Sequence, residues 1–295
     1  MTRMQARMLP DGRRLHLNDG PIDLIIGAEG DAEEVGRAYA AVHARFATAL
    51  DELCAELPLL RMPVGGEPQG AVARCMWRAT GPLARHAFIT PMAAVAGSVA
   101  EEMLAAMVAA APLARAFVNN GGDIALHLAP GQHYDIGLVD RPDRPSLFST
   151  ARITPEDHVQ GIATSGWRGR SFSLGIADAV TVLAERASLA DAAATLIANA
   201  VNLPAHPAVT RVPAVDLQPD SDLGQRPVTR AVGNLHGNEI GTALDAGVAF
   251  AKVLLGEGQI TAVALHLAGQ TRTLGRIDAG SQSQEVPRLR RGDPS

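Results

Sequence analysis

The sequence is poor in aromatic residues and carries no excess of positive charge. Phenylalanine, tryptophan and tyrosine make up 3% of the 295 residues, and the formal net charge at pH 7 is -5. Proteins that bind nucleic acids usually stack bases on aromatic side chains and present a basic surface to the phosphates. The sequence has little of either, so we expect no nucleic-acid partner.

Cysteine and uninterrupted apolar runs are also scarce. The two cysteines are Cys54 and Cys75, and their spacing fits neither a metal site nor a disulfide framework, as is usual in a reducing compartment. The longest apolar region, Pro91 to Val118, is interrupted by Gly97 and by charged residues. We therefore expect one or two soluble helices there and no membrane span. The polar first 21 residues lack the apolar core of a secretory signal, so a cytoplasmic protein without a membrane partner is predicted.

Length and apolar content predict a chain with a substantial core. The chain is 47% hydrophobic, and its length suits one large domain or two small ones. We predict a flexible lead over residues 1–20, a single α+β domain over residues 21–275 and a disordered tail over residues 276–295. The polar, proline-rich segment 140–149 is the strongest candidate for an internal boundary or a lid.

Hydrophobic periodicity and turn residues predict both helices and strands. A helix over residues 32–57 has apolar positions three and four apart and Asp31 as its N-cap. A hydroxyl residue and a proline, Thr90-Pro91, open a helix of small residues. Residues 71–77 fit a helix or a strand. Strands are predicted at residues 23–26, 124–128, 134–139 and 177–184, and the third is expected to pair with the second through the turn at Pro130-Gly131.

Two similar segments indicate an internal duplication. Residues 124–132 resemble residues 263–270, and each segment follows a helix of small residues and a glycine-rich turn. The similarity predicts a repeated helix–turn–strand unit and hence two similar lobes. His127 and His266 occupy equivalent positions in the two segments. For both we favour a structural role over a ligand role, because a single histidine on a strand more often has a structural partner.

Two glycine-rich turns hold polar residues. The first is the segment Asn119-Asn120-Gly121-Gly122-Asp123, several of whose residues are suited to positive φ. The second begins with Thr164-Ser165-Gly166 and includes Arg168 and Arg170. Its backbone amides could hold phosphate oxygens, and its arginines could neutralise them. An ordinary strand-to-strand turn with solvated arginines is the alternative.

The helix after the second turn carries the main candidate for chemistry. Asp191 and Thr195 are four residues apart, which places a carboxylate and a hydroxyl on one helix face. Ser188 and Asp191 also have the form of a capping box, which alone would explain the aspartate. The positive end of a helix disfavours a bare cation but favours phosphates, and Mg²⁺ binds one or two protein oxygens together with waters and phosphates. The pair therefore predicts Mg²⁺ bound together with a phosphorylated ligand.

Four segments in a fixed order resemble the ApbE family, the FAD:protein FMN transferases once tied to thiamine biosynthesis. These segments are residues 118–124 (VNNGGDI), 163–166 (ATSG), 179–182 (AVTV) and 190–195 (ADAAAT). A soluble, uncharacterised branch of that superfamily is similar at residues 91–97, 171–178 and 221–224. The resemblance covers most of residues 20–270.

The resemblance implies a fold, a cofactor and a site. The implied fold is α+β and two-lobed, with sheets flanked by helices, FAD or FMN between the lobes and Mg²⁺ at the diphosphate. Asp191 is the implied catalytic residue and binds the metal together with Thr195. The flavin nucleotide site is predicted to comprise Asn119, Gly121, Gly122, Asp123, Thr164, Ser165, Gly166 and, from its charge, Arg168. The implied reaction is attack of an acceptor protein's serine or threonine hydroxyl on FAD, which releases AMP and leaves FMN attached.

Two departures from the family pattern keep other functions open. Ala96-Gly97 stands where ApbE proteins have Lys-Gly, and residues 170–175 replace a histidine-containing segment. A flavin or nucleotide carrier without catalysis is therefore the first alternative, and an enzyme acting on another phosphorylated metabolite is the second. A flavin nucleotide and an acceptor protein are the expected partners, and the sequence leaves the oligomeric state open.

Overall fold

The computed structural model describes residues 4–63, 65–139 and 147–275. Over these residues the chain forms six α-helices, which are α1 (Ala32–Leu60), α2 (Ala71–Thr80), α3 (Val95–Ala110), α4 (Ala187–Ala200), α5 (Ala214–Leu217) and α6 (Gly237–Gly256). It also forms thirteen strands, which are β1 (Gln5–Met8), β2 (Leu15–Asp19), β3 (Ile22–Glu29), β4 (Arg115–Asn120), β5 (Asp123–Leu128), β6 (Tyr134–Val139), β7 (Leu147–Ile153), β8 (Gly161–Ser165), β9 (Ala179–Ala184), β10 (Val209–Pro213), β11 (Pro227–Val232), β12 (Ala262–Leu267) and β13 (Gln270–Gly275).

Nine of these strands form one antiparallel sheet in the order β1-β2-β3-β4-β5-β8-β9-β12-β13. The strands β6 and β7 form a separate hairpin, and β10 and β11 form a two-stranded ribbon. Antiparallel strands with helices packed on them define an α+β fold. The predicted fold class is confirmed.

The two faces of the sheet are covered by different elements. Alternate residues of a strand point to opposite faces. One set joins buried residues of α1, α3, α4 and α6 in the main core, which includes Phe46, Met103 and Ile197. The other set, which includes Leu126 and Ile162, forms a smaller apolar cluster with Ile136 of β6. The helices therefore cover one face, and the β6–β7 hairpin covers the middle of the other.

Helix α3 is the central helix of the main layer. It contacts α1, α2, α4, β4 and β5, and Val99, Met103 and Met107 are buried. The segment Pro91–Ala110 is long and apolar enough to cross a membrane by length and composition alone. Its packing against five neighbouring elements accounts for that composition.

The predicted flexible lead is wrong for the described part of residues 1–20. Residues 5–8 and 15–19 form β1 and β2, with Ala6 opposite Leu17. Leu15 and Leu17 of β2 are buried in the main core, and β1 is held at the edge of the sheet by its pairing with β2. The segment 140–146 and the predicted tail at 276–295 lie outside the described residues, while residues 147–149 belong to β7.

Capping residues, hydrophobic periodicity and turn residues predicted several helices and strands correctly and one strand pairing incorrectly. Asp31 caps α1, since its side chain accepts a hydrogen bond from the amide of Glu33 at 2.9 Å. The ambiguous segment 71–77 belongs to the helix α2. The expected pairing of β6 with β5 is wrong, because β5 already pairs with β4 on one edge and β8 on the other. β6 pairs with β7 instead.

The two similar segments take different places in the fold. β5 is the second strand after α3, whereas β12 is the first strand after α6. The Nε2 atom of His127 lies 3.2 Å from the carbonyl oxygen of Leu113, and the Nδ1 atom of His266 lies 2.8 Å from the Thr271 hydroxyl. Both histidines have structural partners, and the internal duplication stays a prediction.

Candidate functional site

One cleft contains nearly all of the residues that the sequence singles out. It has a volume of about 620 Å³ and opens where β5 begins and β8 ends, beside α4. The predicted site residues that line it are Gly121, Gly122, Asp123, Thr164, Ser165, Gly166, Arg168, Asp191 and Thr195. Asn119 stands behind them, and its Oδ1 atom accepts a hydrogen bond from the amide of Gly122 at 2.9 Å.

The turn between β4 and β5 forms one wall of the cleft. Gly121 has φ +67° and Gly122 has φ +115°, values that residues with a side chain rarely adopt. The Nδ2 atom of Asn120 donates a hydrogen bond to the carbonyl oxygen of Ala96 at 3.1 Å, which ties this turn to the start of α3. The tight turn places Asp123 at the first position of β5, facing the cleft.

Asp191 is not the capping residue that its sequence pattern suggests. Helix α4 begins at Ala187 with Arg186 as its N-cap and no side-chain capping bond. The hydroxyl of Ser188 donates instead to the Glu101 carboxylate at 2.8 Å, so it is not available to cap the helix. The capping-box interpretation is therefore wrong, and the side chain of Asp191 faces the cleft from the second turn of α4.

The helix end that faces Asp191 belongs to α3. The amide of Gly97 donates a hydrogen bond to the Oδ2 atom of Asp191 at 2.9 Å. A side chain at position 97 would overlap the carbonyl oxygen of Ala187 and crowd the Cβ atom of Asp191. Glycine at this position therefore allows α3 and α4 to approach closely enough for that hydrogen bond.

Burial raises the pKa of two carboxylates that line the cleft, Asp123 and Asp191. Burial raises the pKa of Asp123 to about 7, against the opposing effects of the Thr164 amide and the positive charge of Arg170. Burial also raises the pKa of Asp191 well above its usual range, and the negative charge of Asp123 raises it further. Such an arrangement favours either a bound proton or a bound cation.

The oxygen atoms around this pair fit a hard divalent cation. Asp123 and Asp191 supply carboxylates, and Thr195 supplies a hydroxyl on the same face of α4. In the part of the chain that the structure describes, no three His, Cys, Asp or Glu side chains form a group that could hold a metal. Mg²⁺ commonly binds through one or two carboxylates and completes its shell with waters and phosphate oxygens. The donor set therefore fits Mg²⁺ together with an anionic ligand.

The opposite wall of the cleft is apolar. Ile124 and Ile162 lie opposite each other on β5 and β8, and Ile136 of the β6–β7 hairpin faces them. The hydroxyls of Thr164 and Thr181 lie 2.9 Å apart beside this wall. A ligand with a flat apolar part and a charged part would match the two walls. Sequence reasoning missed this wall, because it depends on how the hairpin folds over the sheet.

Asp178 organises the second glycine-rich turn, and sequence reasoning gave it no role. Its Oδ1 atom accepts hydrogen bonds from Arg168 Nε at 2.5 Å and Trp167 Nε1 at 3.2 Å, and its Oδ2 atom accepts one from the amide of Ala268 at 2.7 Å. The Arg168 guanidinium also stacks 4.3 Å from the centre of the Trp167 ring. The one available signal was the position of Asp178 at the end of the segment 171–178, which resembles a family branch.

Asp178→Asn is expected to lower the free energy of unfolding by about 2–4 kcal/mol. The Asp178 side chain is 6% exposed, and asparagine would leave the partly buried Arg168 without its counter-charge. Asp220→Asn is the matched control, because its ion pair with Arg61 involves a carboxylate that is 62% exposed; a change below about 0.5 kcal/mol is expected there. Urea unfolding of both variants measures the difference, and equal effects would contradict the assigned role of Asp178.

The chain was compared with known protein families and structures. The model of the family described as AbpE bacteria matches residues 6–273. A UPF0280 protein of Methanopyrus kandleri is 43% identical over 136 residues, which cover 45% of this chain and 50% of that protein. A UPF0280 protein of Methanococcoides burtonii is 40% identical over 124 residues, which cover 39% of this chain and 47% of that protein. The chain thus spans about half the length of these curated relatives.

Two solved structures are distantly similar in fold. The apo form of the flavinyl transferase ApbE of Pseudomonas stutzeri has 10% sequence identity and a TM-score of 0.46, and the match covers 92% of this chain and 93% of that chain. A mutant of the flavin transferase ApbE of Vibrio cholerae has 12% identity and a TM-score of 0.35, with 92% and 96% covered. The family match, by contrast, extends over nearly all of the described residues. The chain therefore belongs to the family described as AbpE bacteria.

Proposed function

We propose that this protein is a cytoplasmic, Mg²⁺-dependent transferase that takes FAD as its substrate and transfers FMN to an acceptor protein. The observation that carries the proposal is the pair of carboxylates, Asp123 and Asp191, beside Thr195 at the floor of one cleft. The ordered motifs that resemble those of the ApbE family support the choice of substrate.

Different residues of the cleft would bind the diphosphate and the flavin ring of FAD. Asp123, Asp191 and Thr195 would hold Mg²⁺, which supplies neutralisation of the charge that develops on the diphosphate. The apolar wall of Ile124, Ile136 and Ile162 would cover part of the flavin ring and exclude water from it. The Gly97 amide holds Asp191 in place and so orients the metal-binding carboxylate.

The transfer step breaks one phosphorus–oxygen bond and forms another. The oxygen of an acceptor serine or threonine hydroxyl bonds to the phosphorus of the FMN half. The bond from that phosphorus to the bridging oxygen breaks, and AMP leaves with the bridging oxygen. The hydroxyl proton passes to solvent or to the departing phosphate. The protein's contribution is positioning and charge stabilisation, as is general for phosphoryl transfer.

A specific observation also supports a second candidate, a flavin carrier without catalysis. Ala96 lines the cleft, at the place where the ApbE family pattern has a lysine next to its glycine. Without that lysine, the flavin nucleotide could still bind through Mg²⁺ and the two glycine-rich turns. The transfer reaction would lose a positive charge that could assist it. A carrier would retain flavin through purification and leave FAD intact.

Purified protein with FAD, Mg²⁺ and a protein fraction containing acceptors is expected to release AMP and to leave FMN attached to protein. Chromatography of the nucleotides and in-gel flavin fluorescence measure the two products. Chelation with EDTA is expected to abolish both, because Mg²⁺ would be removed from the cleft. Bound but intact FAD would indicate the carrier, and a protein that binds neither FAD nor FMN would contradict both candidates.

A further inference from the structure

Two arginines of the second glycine-rich turn line the cleft but differ in their surroundings. Arg168 is held on both sides, by the Asp178 carboxylate at 2.5 Å and by the Trp167 ring. Its side chain is 27% exposed and that of Asp178 is 6% exposed. The charge of Arg168 is therefore already matched before any ligand binds.

Arg170 is exposed, and within the described residues it has no such partner. Among the described residues, none forms a hydrogen bond or an ion pair with its guanidinium. The guanidinium lies against Gly121 in the β4–β5 turn, where a side chain would overlap its Nη2 atom. The same guanidinium is close enough to Asp123 for its charge to affect that carboxylate. Within the part of the chain that the structure describes, Arg170 thus presents a guanidinium without a hydrogen-bonded carboxylate between the two glycine-rich turns, and its charge acts on Asp123.

We infer that Arg170 is the residue that binds the phosphate groups of the ligand, and that Gly121 leaves the space in which its guanidinium lies. The inference rests on the proposed function, since it assigns the phosphates of the proposed substrate to one side chain. The sequence suggested both arginines of this turn for the task, and of the two Arg168 instead becomes a positioning residue that fixes the turn through Asp178.

The energetics favour Arg170 over Arg168. A phosphate that approaches Arg170 gains charge-assisted hydrogen bonds, often bidentate, without breaking an existing ion pair. A phosphate that approached Arg168 would compete with the buried Asp178, and removal of one partner from a buried pair is costly. Mg²⁺ at Asp123 and Asp191 would bind the diphosphate from the floor of the cleft, and Arg170 would bind it from the rim.

The test compares Arg170→Gln, Arg170→Lys and Arg168→Gln in the full chain with Mg²⁺ present. The probes are FAD, inorganic pyrophosphate and riboflavin, which lacks phosphate. Arg170→Gln is expected to weaken binding of FAD and pyrophosphate about 10- to 100-fold, to leave riboflavin binding unchanged and to flatten the salt dependence of FAD binding. Arg170→Lys should recover part of the loss, because it restores the charge but not the fork geometry. Arg168→Gln should lower the melting temperature more than Arg170→Gln does. It should lower the affinity for FAD less than Arg170→Gln does.

A glycine pair provides a second measurement in the same turn. Gly121→Ala would displace the Arg170 guanidinium, whereas Gly122 has open space around the position of a side chain. Both glycines have positive φ, so both variants strain the turn. Gly121→Ala should therefore weaken pyrophosphate binding clearly more than Gly122→Ala does. Equal losses in the two variants would overturn the role of Gly121.

The outcomes separate this inference from the proposed function. If the protein binds pyrophosphate but no flavin, and Arg170→Gln removes that binding, the flavin proposal fails and the role of Arg170 holds. If FAD binds and Arg170→Gln binds it as well as the wild type, the role of Arg170 is overturned and the proposed function stands. If the wild type binds neither FAD nor pyrophosphate, both are overturned.

Discussion

Asp191→Asn is expected to lower Mg²⁺-dependent release of AMP from FAD about a thousandfold or more, without destabilising the metal-free protein. The loss follows because a neutral amide is a poor ligand for Mg²⁺ in place of a carboxylate. The unaffected stability follows because asparagine can still accept the hydrogen bond from the Gly97 amide and removes a group whose charged form is disfavoured beside Asp123.

The substitution should lower the activity but not the stability of the metal-free protein, so both quantities are measured on the same preparations. Without metal, the melting temperature of Asp191→Asn should equal or exceed that of the wild type. With saturating Mg²⁺ and FAD, the wild type should gain about 2.7 kcal/mol at a hundredfold excess over Kd, and the variant should gain little. Asp216→Asn serves as the control, because Asp216 is exposed on α5. A variant that is destabilised without metal, yet is stabilised by Mg²⁺ as the wild type is, would contradict the assignment.

Gly97→Ala is expected to destabilise the protein by about 2–3 kcal/mol, the cost of overfilling a closely packed contact. The new methyl group would overlap the backbone of Ala187 where α3 crosses α4. The helices would have to separate, and the hydrogen bond from the Gly97 amide to Asp191 would lengthen. The affinity for Mg²⁺ should also decrease, because the hydrogen bond from the Gly97 amide positions the proposed metal-binding carboxylate of Asp191.

Gly36→Ala is the matched control for this substitution. Gly36 is an exposed residue within α1 and has open space around the position of a side chain. Alanine there should stabilise the protein by about 0.5–1 kcal/mol, because it restricts the unfolded chain and favours the helix. Opposite signs for the two glycines in urea unfolding are the expected result. A stabilising Gly97→Ala would show that α3 and α4 do not need this close approach.

The parts of the fold that depend on residues close together in the sequence could be predicted from it. Asp31 as the N-cap of α1 and the bounds of β6 follow from local patterns, and both agree with the structure. The strands β1 and β2 were missed because each is short. β2 is stabilised by leucines that are buried in the main core, and β1 by its pairing with β2.

The site depends on contacts that sequence spacing does not reveal. Ser188 binds Glu101, 87 residues away, rather than capping its own helix. Asp191 receives its hydrogen bond from Gly97, 94 residues away, and its carboxylate neighbour Asp123 is the first residue of the strand β5. The residue types at the cleft were therefore predictable, but the partners that set their charge and position were not.

Calorimetric titration of Mg²⁺ in the presence of FAD and, separately, of riboflavin tests most directly whether metal and phosphates share this cleft. We expect Mg²⁺ to bind at least about tenfold more tightly with FAD than with riboflavin, and FAD affinity to rise by the same factor with Mg²⁺, since coupling between two ligands is reciprocal. Asp191→Asn should remove the coupling. Equal Mg²⁺ affinity with FAD and with riboflavin would contradict the shared site.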